Sequence, residues 1–178
     1  MKTHEFTIVA SGFDTQSDDF MDRLFLNGCD DATVSHQKGV TILSFDREAV
    51  TFSSAIISAL EGVVAAGGKV ERVEPDYLVS LADIADRSGL SRSALTLYHK
   101  GERCSDFPAP AVRVTSSSPL WDWQEVAEWL WRNGKIDREE AVRARIVKEA
   151  NLHVETLNER LSDNFSERLE RAELLVSA

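Results

Sequence analysis

The stretch LADIADRSGLSRSALTLYHKGER, Leu81–Arg103, predicts two short helices joined by a tight turn. Ser80 and Asp83 form a capping-box pattern that begins the first helix at Leu81. Ser91 is a favourable N-cap for the second helix, and Gly89 supplies the backbone freedom that the turn requires. Because the turn spans only about three residues, the two helices must cross at a steep angle.

The apolar side chains of this stretch lie where a helix-turn-helix buries them. They are Ile84, Ala85, Leu90, Leu95 and Tyr98. Downstream, AVRVT (111–115) and LWDW (120–123) have the composition of two strands, and SSSP (116–119) has that of the turn between them. A second capping-box pattern, Asp122 with Glu125, then opens the helix WQEVAEWLWRNG at 123–134. The order helix, turn, helix, hairpin, helix is that of a winged helix-turn-helix.

The tryptophans of that last helix divide between two predicted environments. Trp123 shares one helix face with Val126, Ala127 and Leu130, which predicts a core position, and Trp121 is expected to join it. Trp129 falls on a different face, where we expect contact with a neighbouring domain or a second subunit.

Residues 78–131 resemble the winged DNA-binding domains of the MerR and phage excisionase (AlpA-like) group. The resemblance is carried by LADIADRSGLSRS in the first helix and turn, FPAPAV entering the wing, and LWDWQEVAEWL leaving it. It implies a small winged helical fold that binds double-stranded DNA. The second helix would then lie in the major groove, and the wing would lie along the backbone or the minor groove.

Outward positions of the second helix and the wing are the candidate DNA-binding residues. They are Ser91, Arg92, Ser93, Thr96, Lys100, Arg103, Arg113, Ser116 and Ser117. Arg92 suits a bidentate contact to guanine, and Ser93 and Thr96 suit a base or a phosphate. Lys100, Arg103 and Arg113 flank the helix end and the wing, which favours phosphate contacts. The alternative is a solvated helix residue for Arg92 and a flexible turn for the serines.

Residues 1–76 predict a separate α+β domain with the order βαββαβ, typical of a ferredoxin-like sandwich. Its first strand presents Phe6, Ile8 and Ala10 on one face, and a hairpin turns at Lys38-Gly39. The predicted inward residues of its two helices are Phe20, Leu24 and Phe25, and then Phe52, Ile56, Leu60 and Val63. In the closing strand KVERVEP (69–75), Val70 and Arg72 are expected to alternate with Glu71 and Val73.

Residues 136–178 follow a central domain that spans residues 77–135. They contain neither proline nor glycine, which predicts one long helix. Apolar residues recur at spacings of three and four, as in a coiled coil, and shift past Leu161, which indicates a stutter or a break near SDN (162–164). We therefore expect dimerisation through Val147, Val154, Leu157, Leu161 and Leu169. Packing against the chain's own domains is the alternative.

The charge of the chain is unevenly distributed. The net charge is −10, and residues 1–76 carry 6 basic and 13 acidic side chains. Residues 87–113 instead hold five basic side chains and two acidic ones. DNA binding is therefore expected only in this part of the chain, and the acidic flanks would suppress non-specific binding.

Other classes of function have little support in the sequence. The four histidines and the two cysteines lack metal-ligand spacing, and no nucleophile or phosphate-loop pattern occurs, so we expect no catalytic residue, metal or cofactor. No apolar run is long enough for a membrane span, and we expect a cytoplasmic protein.

The leading interpretation is a dimeric, sequence-specific double-stranded DNA-binding protein, such as a prokaryotic or phage-type transcriptional regulator. The alternative is a protein-interaction adaptor or antitoxin-like component, in which the winged domain docks on protein and the C-terminal helix holds a partner. A contiguous positive face around Arg92, Lys100 and Arg113 would favour DNA. Salt bridges from these cations to Asp83 and Asp86 would favour the adaptor.

Overall fold

The computed structural model describes residues 1–104 and 106–160, with side chains through Thr156, and has a mixed α and β fold as predicted. In chain order the elements are β1 (Lys2–Ser11), α1 (Phe20–Leu26), β2 (Ala32–Gln37), β3 (Val40–Ala49), α2 (Phe52–Ala65), β4 (Lys69–Glu74), β5 (Leu78–Val79), α3 (Leu81–Ser88), α4 (Arg92–His99), β6 (Trp121–Asp122), α5 (Trp123–Arg132) and α6 (Arg138–Arg160).

The first four strands form one antiparallel sheet in the order β2-β3-β1-β4. Phe6, Ile8 and Ala10 are buried on one face of β1, as their alternation predicts. The β2–β3 hairpin turns at Lys38 and Gly39, both with positive φ, which is the geometry of a tight hairpin turn. Apolar side chains of α1 and α2 complete a core on this face of the sheet.

Two sequence predictions for this unit are wrong. Phe25 is 66% exposed instead of inward, because Phe20 and Leu24 already occupy the buried face of the short helix α1. In β4, Val70 and Val73 are both buried, whereas strict alternation puts them on opposite faces. The pairing with β1 shifts between Val9 and Ala10, so that the extra residue Glu71 restores Val73 to the inner face.

The predicted pair of short helices forms as α3 and α4. Ser80 and Asp83 complete a reciprocal capping box, and Gly89 ends α3 in the left-handed region at φ 69°. The side-chain oxygen of Ser91 accepts a hydrogen bond from the Ala94 backbone N–H at 3.2 Å. The predicted residues Ile84, Ala85, Leu95 and Tyr98 are buried in a second core, together with Trp121, Trp123 and Leu130.

The predicted hairpin of AVRVT with LWDW is wrong in its pairing. Val112 and Leu120 form an isolated bridge, while Trp121 and Asp122 pair as β6 with β5. Residues 111–118 are exposed, and Arg113 has φ 56°, outside the extended region. Because Val112 and Val114 stay exposed and pack against no core, this segment is a loop and not a strand.

The predicted external contact of Trp129 is also wrong, since its side chain is buried within the chain. Its ring packs edge-on against Tyr98, with the ring centroids 5.1 Å apart, and against Phe107 at the same distance. Phe107 lies just before the exposed loop and packs against this core. Helical periodicity could not predict that contact, because Phe107 lies outside any helix.

The last helix, α6, crosses both cores. Ala141 and Ala144 belong to the central core, whereas Val147 and Val154 belong to the core of the N-terminal unit. The buried Asn151 side chain donates to the Val73 carbonyl at 2.9 Å and accepts from the Val73 N–H at 2.8 Å, at the edge of the sheet.

These contacts correct the predicted dimer seam, because Val147 and Val154 are covered by the chain itself. The side chain of Leu157, and the whole of Leu161 and Leu169, lie outside the described residues. Among the residues that are described, no helix is both long enough and apolar enough to cross a membrane.

Candidate nucleic-acid interface

Helix α4 turns one face into the core and the other to solvent. Leu95 and Tyr98 are both buried, which fixes the rotation of the helix. Arg92, Ser93 and Lys100 are exposed as predicted, and Thr96 is half-buried between them. The helix therefore presents a short polar and basic face, about 12 Å long from its eight residues.

Two of the predicted residues also hold the helix together. Ser91 caps the first turn, so its side-chain oxygen is engaged by a backbone N–H. The Thr96 hydroxyl donates to the Arg92 carbonyl at 2.8 Å, which fixes its rotamer on the outer face. Thr96 keeps acceptor capacity on that oxygen for a ligand outside the helix.

Aromatic packing places the base of the loop beside the C-terminal end of α4. Phe107 stacks on Tyr98 with centroids 6.2 Å apart, and the His99 and Trp121 rings meet edge-on at 5.0 Å. The Trp121 indole N–H donates to the Pro108 carbonyl at 3.0 Å. Phe107 and Pro108 on one side of the loop and Trp121 on the other are thereby fixed beside the C-terminal end of α4, next to Lys100.

The remaining predicted residues lie on the surface around that anchor. Arg103 is exposed, with its guanidinium carbon 5.6 Å from the Tyr98 ring centroid. Arg113, Ser116 and Ser117 are exposed in the loop. Ser116 donates its backbone N–H to the Arg113 carbonyl at 2.9 Å, which closes the loop tip. We call the outer face of α4, Arg103 and loop residues 111–118 the candidate interface.

The cations of the candidate interface keep their charge available. Among the described residues, none of Arg92, Lys100, Arg103 and Arg113 forms an ion pair. The salt bridges to Asp83 and Asp86 that would have favoured the adaptor interpretation are therefore not formed.

Asp83 and Arg87 are engaged within the chain instead. Hydrogen bonds from the Ser80 hydroxyl and backbone N–H hold the pKa of Asp83 below its usual value. Arg87 lies over the Trp123 ring at 5.3 Å and donates to the Asp76 carbonyl at 2.8 Å. Burial lowers the pKa of Arg87, and its contacts with Trp123 and Asp76 give it a structural role outside the interface.

Two apolar residues of the candidate interface are exposed. Leu97 on α4 is 37% exposed and Val114 in the loop is 61% exposed. In DNA complexes, apolar side chains can contact thymine methyl groups in the major groove. The sequence indicated the exposure of Val114 only indirectly, because Val114 lies beside the serines of the loop tip, where it has no buried strand face to join.

Elsewhere, the titratable groups have structural roles. Arg47 is buried and pairs with Asp31 at 2.7 Å, and it also donates to the Ser58 hydroxyl at 3.0 Å. Burial raises the pKa of the neighbouring Cys29 thiol, which disfavours the reactive thiolate. In the described ranges, no group of three or more His, Cys, Asp or Glu side chains is placed to hold a metal ion.

Comparisons of the chain with protein-family models, curated proteins and solved structures find no match. Assignment of a function to the candidate interface therefore depends on its own geometry and charge.

Proposed function

We propose that the protein binds double-stranded DNA in a sequence-specific manner through the candidate interface, as a prokaryotic or phage-type transcriptional regulator. The observation that carries this proposal is the set of exposed cations on α4 and its flanking loop, unpaired within the described residues of a chain whose net charge is −10. A free basic face on an acidic protein favours a polyanionic partner at that face alone.

The dimensions of α4 suit the major groove. An α-helix with its side chains is about 10–12 Å across, which suits the major groove of B-DNA at about 12 Å wide, and the N-terminal end of α4 carries Arg92. Residues near the N-terminus of a recognition helix reach base edges. Arg92 would then contact a guanine, and Ser93 and Thr96 would contact neighbouring bases or phosphates.

The loop would act as the wing of a winged helix-turn-helix. Its anchoring beside Tyr98 and Trp121 supports this role, since a wing must be fixed relative to the recognition helix. Arg113 would contact a phosphate, and the small Ser116 and Ser117 would let the loop approach the backbone closely. Lys100 and Arg103, at the other end of α4, would contact phosphates on the flanking strand.

For the N-terminal unit, we propose a ferredoxin-like arrangement. The strand order β2-β3-β1-β4, with α1 and α2 contributing to one core, supports it. Such a unit would act as a pairing or sensing module. A homodimer remains part of the proposal, because two half-sites increase specificity, but its contacts must lie outside the buried Val147 and Val154.

Selection of bound duplexes from a random DNA library tests the proposal. We expect enrichment of a defined motif by the intact protein, and loss of preference at one or two positions with Arg92→Ala. Lys69→Ala, which removes an exposed cation paired with Glu71 on β4, is the control and should enrich the same motif. No enrichment at low salt would refute DNA binding and leave protein partners as the targets of this surface.

A further inference from the structure

The two edges of the four-stranded sheet differ in how they are covered. The edge strands are β2 and β4. β4 is covered, because the Asn151 side chain pairs with the backbone of Val73 and the register of β4 with β1 is shifted. Among the described residues, no strand pairs with the outer side of β2. An uncovered edge presents backbone N–H and carbonyl groups on which another strand can pair.

Strand β2 also lacks the features that prevent edge-to-edge pairing. Natural edge strands are protected by charged side chains, by proline or by bulges. The six residues of β2, ATVSHQ (32–37), include no Lys, Arg, Asp, Glu or Pro. Their register with β3 continues without a shift. This edge is therefore suited to pairing with a further strand along its whole length, about 20 Å.

We propose that β2 pairs antiparallel with β2 of a second copy of the chain, about a two-fold axis at Val34. The two sheets then form one continuous sheet. A two-fold axis perpendicular to the sheet makes every contact twice, as in other isologous dimers. The inference rests on the homodimer of the proposed function and names the contacts that hold it.

The direction of the backbone groups selects this axis. The Asp46 N–H donates to the Asp31 carbonyl at 3.3 Å, so Asp31 directs its backbone groups toward β3. Because this direction alternates along a strand, Val34 directs its N–H and carbonyl to the free edge. An axis at Val34 then gives a symmetric pair of hydrogen bonds between the two Val34 residues. The same axis pairs each His36 N–H with the carbonyl of the partner's Ala32.

The charges at the two ends of β2 select the same axis. Asp30 and Lys38 are each four residues from Val34, so each Lys38 lies opposite Asp30 of the partner subunit. Both side chains are exposed, and neither forms a salt bridge within the described part of the chain. An axis at Ser35 would instead place Lys38 opposite the partner's Ala32. Charge complementarity and backbone direction therefore agree on Val34.

Helix α1 lies on the β2 side of the helical layer. Its first residue, Phe20, packs against His36 near the end of β2, with the ring centroids 5.7 Å apart. Just after its last residue, the Asn27 carbonyl lies against Gly62 of α2. One flank of α1 thus contacts α2, and the opposite flank lies toward the free edge of β2.

Exposed apolar side chains occupy the flank of α1 that lies toward this edge. Arg23 is on the α2 side, where its guanidinium lies beside Gly67. Met21 and Phe25 are each two residues from Arg23, a rotation of about 200° around the helix. They are 56% and 66% exposed. In the dimer these residues face the same residues of the partner across the axis, which explains why Phe25 is not covered by its own chain.

Sedimentation equilibrium of the full chain without DNA tests the inference. The chain has a mass of 19.8 kDa, and we expect the average mass to rise toward twice that value with concentration. A mass that stays at 19.8 kDa up to about 1 mM protein would overturn the inference. Since no DNA is present, this result is independent of DNA binding, which the duplex selection tests separately.

Charge reversals test the register. Lys38→Glu places acidic residues opposite each other, and Asp30→Lys places basic residues opposite each other, so each should raise the dimer Kd about tenfold. An equimolar mixture of the two variants forms heterodimers in which both pairs are again of opposite charge, and it should dimerise like the wild type. Unchanged dimers of the single variants, or no recovery in the mixture, would overturn the inference.

A matched pair of substitutions tests the apolar part of the interface. Phe25→Glu should raise the dimer Kd at least about tenfold. Ile57→Glu is the control, because Ile57 is 55% exposed in an apolar groove between α2 and α6, away from β2. We expect Ile57→Glu to dimerise like the wild type. An unchanged Kd in Phe25→Glu, or loss of the dimer in Ile57→Glu, would overturn the inference.

Discussion

The salt dependence of DNA binding distinguishes the proposed roles of the interface cations. Lys100, Arg103 and Arg113 are assigned to phosphates, and each is exposed and unpaired among the described residues. Each neutralised phosphate contributes about −0.9 to the slope of log affinity against log salt, so three contribute about −2.7 per protomer. Raising salt from about 50 to about 200 mM should then weaken the binding of one protomer to its half-site about 40-fold, and the binding of a dimer by the square of that factor.

Lys100→Ala should reduce the slope to about −1.8 per protomer, so that the same change in salt weakens the binding of one protomer to its half-site only about 12-fold. Arg92→Ala should instead reduce the preference for the selected motif, with a smaller change in slope. Fluorescence anisotropy with the selected duplex over a salt series measures both quantities, and Lys69→Ala is the control. An unchanged slope in Lys100→Ala, or an equal change in Lys69→Ala, would refute the phosphate assignment.

Three further predictions concern the stability of the scaffold. Asn151→Ala leaves the Val73 N–H and carbonyl unpaired at the sheet edge and should lower the free energy of unfolding by about 2–4 kcal/mol, measured by urea denaturation; a loss under 1 kcal/mol would contradict it. The pKa of Asp83 is lower in the folded state than in the unfolded state, so the ionised carboxylate stabilises the fold. This stabilisation of the fold is fully present above about pH 4 and is lost as pH falls through the folded-state pKa. The difference in Tm between the wild type and Asp83→Asn should therefore shrink in acid. A difference that does not change with pH would exclude the ionised Asp83 carboxylate as the source of the stabilisation. Gly89→Ala introduces a Cβ at a residue with φ 69°, where it meets no neighbouring atom. The free energy of unfolding should therefore fall by about 1 kcal/mol through backbone strain alone, as measured by urea denaturation.

Local features of the sequence predicted the α3–α4 pair well. The Ser80–Asp83 box and the positive φ of Gly89 depend on residues within one turn of each other, and the structure has both. Burial of Leu95 and Tyr98 also follows from helical spacing alone. Predictions of this type succeed because the interacting groups are close in the chain.

Features that depend on distant partners could not be predicted. The apolar period of α6 is the same for a dimer seam and for packing on the chain's own sheet, and Val147 and Val154 fit either. Asn151 distinguishes the two arrangements, but its position in the sequence was not used. A side-chain amide within an apolar stripe can donate to and accept from the free backbone groups of an edge strand, as Asn151 does with Val73. Trp129 was misassigned for a related reason, because Phe107 reaches it from outside the helix.

The path of α6 through both cores has a thermodynamic consequence. A single helix supplies Ala141 and Ala144 to one core and Val147 and Val154 to the other, so melting of either core removes support from its neighbour. The two units are therefore expected to unfold in one transition. A ligand at 100 times its Kd stabilises the native state by about 2.7 kcal/mol, and that gain would be shared across the whole chain. DNA bound at α4 should then slow amide exchange in β4, far from any contact with the duplex.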